Sequence, residues 1–187
     1  MLKRLVMVLL LVLPGTALGA EPLTKKKVDH FIAAAEKMQE LEEKYPDVDI
    51  DFDIDDQDMT EAFDMMFAED GSLQIMRSLM NRVKDEPGVG KDMREIARSS
   101  GFSSLDEFGS VGDQLILAIA RLEVSKADLA EMEQVANMPP EQLAFVPANM
   151  RPMVERMGKF SKALQAVSES DLALAREAKP RLDALDL

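Results

Sequence analysis

Six consecutive apolar residues, Leu115 to Ala120, stand near the middle of the chain. A helix that is apolar nearly all round is one that other elements surround. The same six residues could form a buried strand. However, no Pro or Gly interrupts the run from Asp113 through Leu129, Met132 and Val135 to Met138, and that length decides for helix. The pattern predicts a long central helix, about residues 104–137, opened by Ser104-Leu-Asp-Glu107 as a capping box.

Amphipathic stretches flank it on both sides. Val28, Phe31, Ile32, Ala35, Met38, Leu41 and Tyr45 recur at helical spacing between a Thr24 N-cap and Pro46. Asp58-Met-Thr-Glu61 opens a second helix that buries Met59, Phe63, Met66 and Phe67 and stops near Asp70-Gly71. Ser72 should cap a third, with Leu73, Met76, Leu79, Met80 and Val83 inward. A short fourth holds Met93, Ile96 and Ala97 and ends at Gly101, a natural left-handed residue after a helix.

Beyond the central helix, Pro139-Pro140 break the chain and Pro140 begins a brief turn to Val146. A helix from about 149 to 167 then carries Met150, Met153, Val154, Met157, Phe160, Leu164 and Val167 on one side. Ser168 opens the last helix, with Leu172, Ala175, Leu182 and Leu185 as its stripe and Pro180 inside it. The expected fold is all-α: a single irregular bundle of about six to eight helices around the central one, with an extended acidic segment at residues 46–58.

The N-terminus reads differently. Lys3-Arg4, the apolar run Leu5–Leu13 and Pro14-Gly-Thr-Ala-Leu-Gly-Ala20 form the basic, apolar and small-residue regions of a secretory signal peptide. Cleavage after Gly19 places Ala17 and Gly19 at the small-residue positions. The run is too short to span a membrane, which takes about 20 apolar residues, and no cysteine follows for lipid attachment. Residues 1–19 are therefore expected to be removed, leaving residues 20–187 as one helical domain, exported to the periplasm and not membrane-spanning.

Composition then removes chemistries. The chain has no Cys and no Trp, one Tyr and one His. That excludes thiol nucleophiles, thiolate metal sites and disulfides, so the apolar core must suffice by itself. His30 has no second His or carboxylate pair at ligand spacing and reads as a boundary histidine. No Gly-x-Ser-x-Gly elbow, phosphate-cradling glycine loop or His-Glu-x-x-His occurs. Two carboxyls in a cleft could still hydrolyse a glycan, so a helical hydrolase stands third among the functional readings.

Acidity is concentrated. Residues 42–70 hold 13 acids against Lys44, while residues 71–187 hold 18 acids against 15 bases. Such a chain is repelled by phosphate backbones and anionic membranes, so nucleic acid is not an expected partner. Within the acidic stretch, Asp47, Asp49, Asp51, Asp53 and Asp55 alternate with Val48, Ile50, Phe52 and Ile54, followed by Asp56 and Asp58. Extended, this places carboxylates on one face and apolar groups on the other. These seven aspartates are the candidate cation site, and calcium is the ion whose oxygen preference they suit. The EF-hand register fails, because its glycine position falls on Phe52 or Asp56. A low-affinity divalent-cation protein is therefore the second reading.

Methionine points elsewhere. Residues 20–187 carry twelve, and Met150, Met153 and Met157 share a helix face. Thioethers can hold Cu(I), but beside Val154 and Phe160 they read as apolar filling, or as an adaptable surface for varied partners. Leu23-Thr24 at a helix start resembles the LTxxQ-type periplasmic chaperones in those two residues alone. Residue 27 is Lys where that motif has Gln, and the pair does not recur, so nothing is carried over. The leading expectation is an exported adaptor or chaperone-like protein that acts by binding another envelope protein.

Overall fold

The computed structural model describes residues 22–46, 48, 64–148 and 150–185. These residues form helices α1 (Lys25–Lys44), α2 (Ile75–Val83), α3 (Val89–Ser99), α4 (Leu105–Glu123), α5 (Lys126–Ala136), α6 (Pro140–Leu143), α7 (Arg151–Ala166) and α8 (Glu169–Asp183). The architecture is all-α, as the periodicity predicts. The signal-peptide segment and all seven aspartates of the candidate cation site lie outside the described residues.

The caps explain most boundaries. Thr24 Oγ1 accepts the Lys27 amide at 3.2 Å and starts α1, whose whole expected stripe is buried apart from half-buried Tyr45. Ser104 Oγ accepts the Glu107 amide at 3.0 Å, while the Glu107 carboxylate takes the Ser103 amide at 2.8 Å. Between α3 and α4, Gly101 adopts φ +98°. Its amide reaches Arg98 O and the Phe102 amide reaches Ala97 O, both at 3.0 Å, which is the Schellman closure.

One correction concerns the central helix. It does not run from 104 to 137 but stops at Glu123, and Val124 is extended. Ser125 and Asp128 exchange reciprocal bonds, Ser125 Oγ to the Asp128 amide at 3.1 Å and Asp128 to the Ser125 amide at 3.2 Å. A capping box written inside an uninterrupted helical pattern restarts the helix with new N-terminal donors satisfied, and here it outweighs the continuous periodicity.

A second correction falls before α2. Residues 64–66 are helical, but the expected continuation to Asp70 gives way to a turn: Gly71 has φ +83°, and Phe67 pairs with Leu73 in an isolated antiparallel bridge. Ser72 does not cap α2. Its amide donates to Asp70 Oδ1 at 2.9 Å inside the turn, and α2 begins only at Ile75 with no side-chain cap from Gln74.

The main core joins α1, α2, α3, α4 and α8. α4 is its hub: it touches α1, α2, α3, α7 and α8, and buries Leu105, Phe108, Val111, Leu115 and Ala118. Phe108 stacks on Phe31 with centroids 4.8 Å apart and meets Phe102 edge-on at 5.5 Å. Outside the core, Tyr45 Oη donates to Asp92 at 2.8 Å beside Lys44, at 2.6 Å, tying the end of α1 to α3.

Helices α5 to α7 form an arm that contributes no residue to that core. α5 packs on α7, and among its described side chains Leu129 is the buried one. Of the expected stripe Leu164 is buried, Met153, Val154, Met157, Phe160 and Val167 are half-buried and Met150 is exposed, while Gly158 and Ser161, outside that stripe, are buried. The arm is tied to the rest by Arg156 with Asp64, by Lys159 with the Glu69 carbonyl, and by Phe67 against Phe160 at 4.8 Å. No helix among the described residues is long and apolar enough to cross a membrane.

Candidate functional site

Besides the small buried hydroxyls of Ser100 and Ser161, two places among the described residues depart from apolar inside and polar outside. The first is Asp113, a carboxylate in the hub helix whose side chain is 5% exposed. Gly109 and Gly112 lie on the same face and let the start of α2 come close. A Cβ on Gly109 would sit 3.0 Å from Arg77 Cα, and one on Gly112 would sit 2.7 Å from both Met76 and Phe31. Through this notch Asp113 accepts the Met76 amide at 2.7 Å and Arg77 Nε at 2.8 Å, while the Arg77 guanidinium also donates to Leu73 O at 2.8 Å.

Asp113 thus supplies across the α2–α4 interface the cap that Gln74 does not supply within α2. Burial pushes its carboxyl up to about 6, against the pull of Arg77 and the Met76 amide. A perturbed buried acid is an ordinary marker of an active site. Here, however, both oxygens are engaged by protein donors and the side chain is all but sealed, so the group clasps two helices together. His30 takes no part: it is half-buried and meets Phe102 edge-on at 6.4 Å, as a boundary histidine does.

The second place is the α6–α7 loop. Among the described residues, two large apolar side chains stand exposed, Phe145 at 89% and Met150 at 45%. Arg151 fixes the loop from inside, donating Nε to Val146 O and a terminal nitrogen to Ala144 O, both at 3.0 Å. The amides of Phe145, Val146 and Met150 return to Gln142, Leu143 and Pro147 carbonyls at 2.9–3.1 Å. With its backbone bonded internally and prolines at 139, 140 and 147, the loop holds Phe145 out on a fixed support.

Other candidates are slight. A cleft between α1 and α8 is lined by Lys25, Asp29, Glu177 and Arg181 above Val28 and Ala178. Its charges are internally paired, Lys25 with Glu177 and Arg181 with Asp29, and about 10 Å³ of space admits roughly one water. No group of three His, Asp or Glu able to hold a metal ion occurs among the described residues.

Sequence reasoning places neither Asp113 nor Phe145 in a site. A signal existed for Asp113: a lone acid next to Gly112, one helical turn from Gly109 and beside the apolar run needs a buried partner. For Phe145 the sequence offers an apolar residue in a turn, which is consistent with burial as much as with display. Compared with known protein families, characterised proteins and solved structures, the chain matches none.

Proposed function

We propose that the protein is an exported, periplasmic binding protein, an adaptor or chaperone-like partner of another envelope protein. The observation that carries this reading is Phe145, 89% exposed on a loop braced by Arg151. Aromatic residues concentrate at the centres of protein interfaces because they bury a large area at little entropic cost. The loop backbone that carries it is fixed by three backbone–backbone bonds and two from the Arg151 side chain. On α7, half-buried Met153 and Met157 are polarizable side chains of the kind that repack easily around a partner. Export rests on the basic, apolar and small-residue pattern of residues 1–20.

The reading is tested by placing a photo-crosslinking amino acid at position 145 of the full chain in a bacterial cell. The expected result is a discrete protein adduct in the envelope fraction, absent when the same group replaces exposed Ala173 on α8. Equal labelling at the two positions, or none at 145, would contradict it.

A further inference from the structure

We infer that Met150 is a site of reversible oxidation, taken to the sulfoxide by a peroxide while the fold around it stands. This goes beyond the binding reading and does not depend on it. The chain has no Cys and no Trp, so no thiol or indole meets an oxidant before its thioethers do. Those thioethers are unequally placed. Met38, Met80 and Met93 are buried in the core, and Met153 and Met157 are half-buried on α7. Among the described residues Met150 is the exposed methionine.

Its exposure is built into the backbone. The Met150 amide donates to Pro147 O at 2.9 Å, and the Met150 carbonyl accepts the Val154 amide at 3.1 Å. Arg151, the next residue, is tied to the Ala144 and Val146 carbonyls. Met150 therefore sits at the fixed start of α7, and its side chain is offered to solvent in the folded state.

The chemistry is a two-electron transfer. A lone pair of the thioether sulfur attacks one peroxide oxygen, and the S–O bond forms as the O–O bond breaks. The proton on the transferred oxygen passes to the departing hydroxide, which leaves as water; sulfur is oxidised and the peroxide reduced. At a buried methionine the new polar oxygen would need a donor that an apolar core lacks. At Met150 water supplies it, so the change costs the fold little. One of the two displayed apolar side chains thereby becomes polar, and a sulfoxide reductase can reach it to reverse the change.

The test treats the full chain with hydrogen peroxide and follows each methionine by peptide mass spectrometry. Met150 should gain oxygen about tenfold or more faster than Met80 and Met93, and in urea these rates should converge. Protein oxidised at Met150 alone should melt with the unmodified protein, and methionine sulfoxide reductase should restore it without denaturant. Met150→Leu should remove the fast phase and leave the slower ones; the side chain is exposed, so this variant should fold as wild type does. Equal rates in the folded chain, a faster Met153 or Met157, or a Met150 advantage that persists in urea would overturn the assignment. So would a lowered melting temperature on oxidation of Met150 alone, which would make that thioether part of the packing.

Discussion

Leu115→Asp should abolish cooperative folding. Leu115 is 1% exposed and belongs to the core shared by α1, α2, α3, α4 and α8. A carboxylate there would have no donor and no cation within the aliphatic and aromatic side chains around it. An unpaired buried charge costs several kcal/mol, and losing the leucine adds its own burial. Against a typical total stability of about 5–15 kcal/mol, that leaves little or no folded state. Urea titration followed by helical circular dichroism should show no transition for this variant. Ile119→Asp is the internal comparison, since Ile119 is only half-buried and an aspartate there can turn toward water. It should unfold cooperatively at a lower midpoint. Wild-type melting by Leu115→Asp would show that α4 is not the hub.

The second large effect belongs to Asp113. Replacement by Ala leaves the Met76 amide and Arg77 Nε without their acceptor at a sealed interface, at a cost of about 2–4 kcal/mol. The pH dependence has a definite sign. Burial raises the folded carboxyl to about 6 from 3.8, so the folded state holds the proton more tightly than the unfolded one. Protonation therefore favours folding. That contribution is complete below about pH 4 and is lost as pH rises through 6, on the order of 3 kcal/mol in all. Asp113→Asn does not titrate. The stability of wild type minus that of Asp113→Asn should fall between pH 4 and 7 and level off above. Asp29, Asp70, Asp92 and Glu107 are shifted downward by their hydrogen-bonding partners and act in the opposite direction, but they are common to both proteins and cancel in the difference. A difference that rises with pH would mean that Arg77 outweighs desolvation.

These two residues also show what periodicity can and cannot convey. Leu115 is legible because burial of a helix face follows from residue spacing alone, and the stripe of α1 is recovered for the same reason. Asp113 is legible only as an anomaly. Its partner is the start of α2, 36 residues away along the chain, and nothing local to either segment says that the two ends meet. The break at Ser125 was written in the sequence as Ser-x-x-Asp, but a cap signal inside an apolar run competes with the run, and spacing alone does not say which prevails. Phe145 is the opposite case. Display and burial of a turn aromatic have the same sequence, and only the Arg151 brace distinguishes them.

Among the described residues a five-helix core is built on α4, and the arm α5 to α7, which meets α4 through α7, carries the exposed loop. Native-state hydrogen exchange tests that division most directly. The amides of Leu115 to Ala118 should exchange only through global unfolding. Those of Glu131 to Val135 in α5 should open at clearly lower free energy, because among the described side chains of α5 Leu129 alone is buried and none belongs to the core. Equal protection across both helices, with no weakening at Val124–Ser125, would contradict it and restore one continuous central helix.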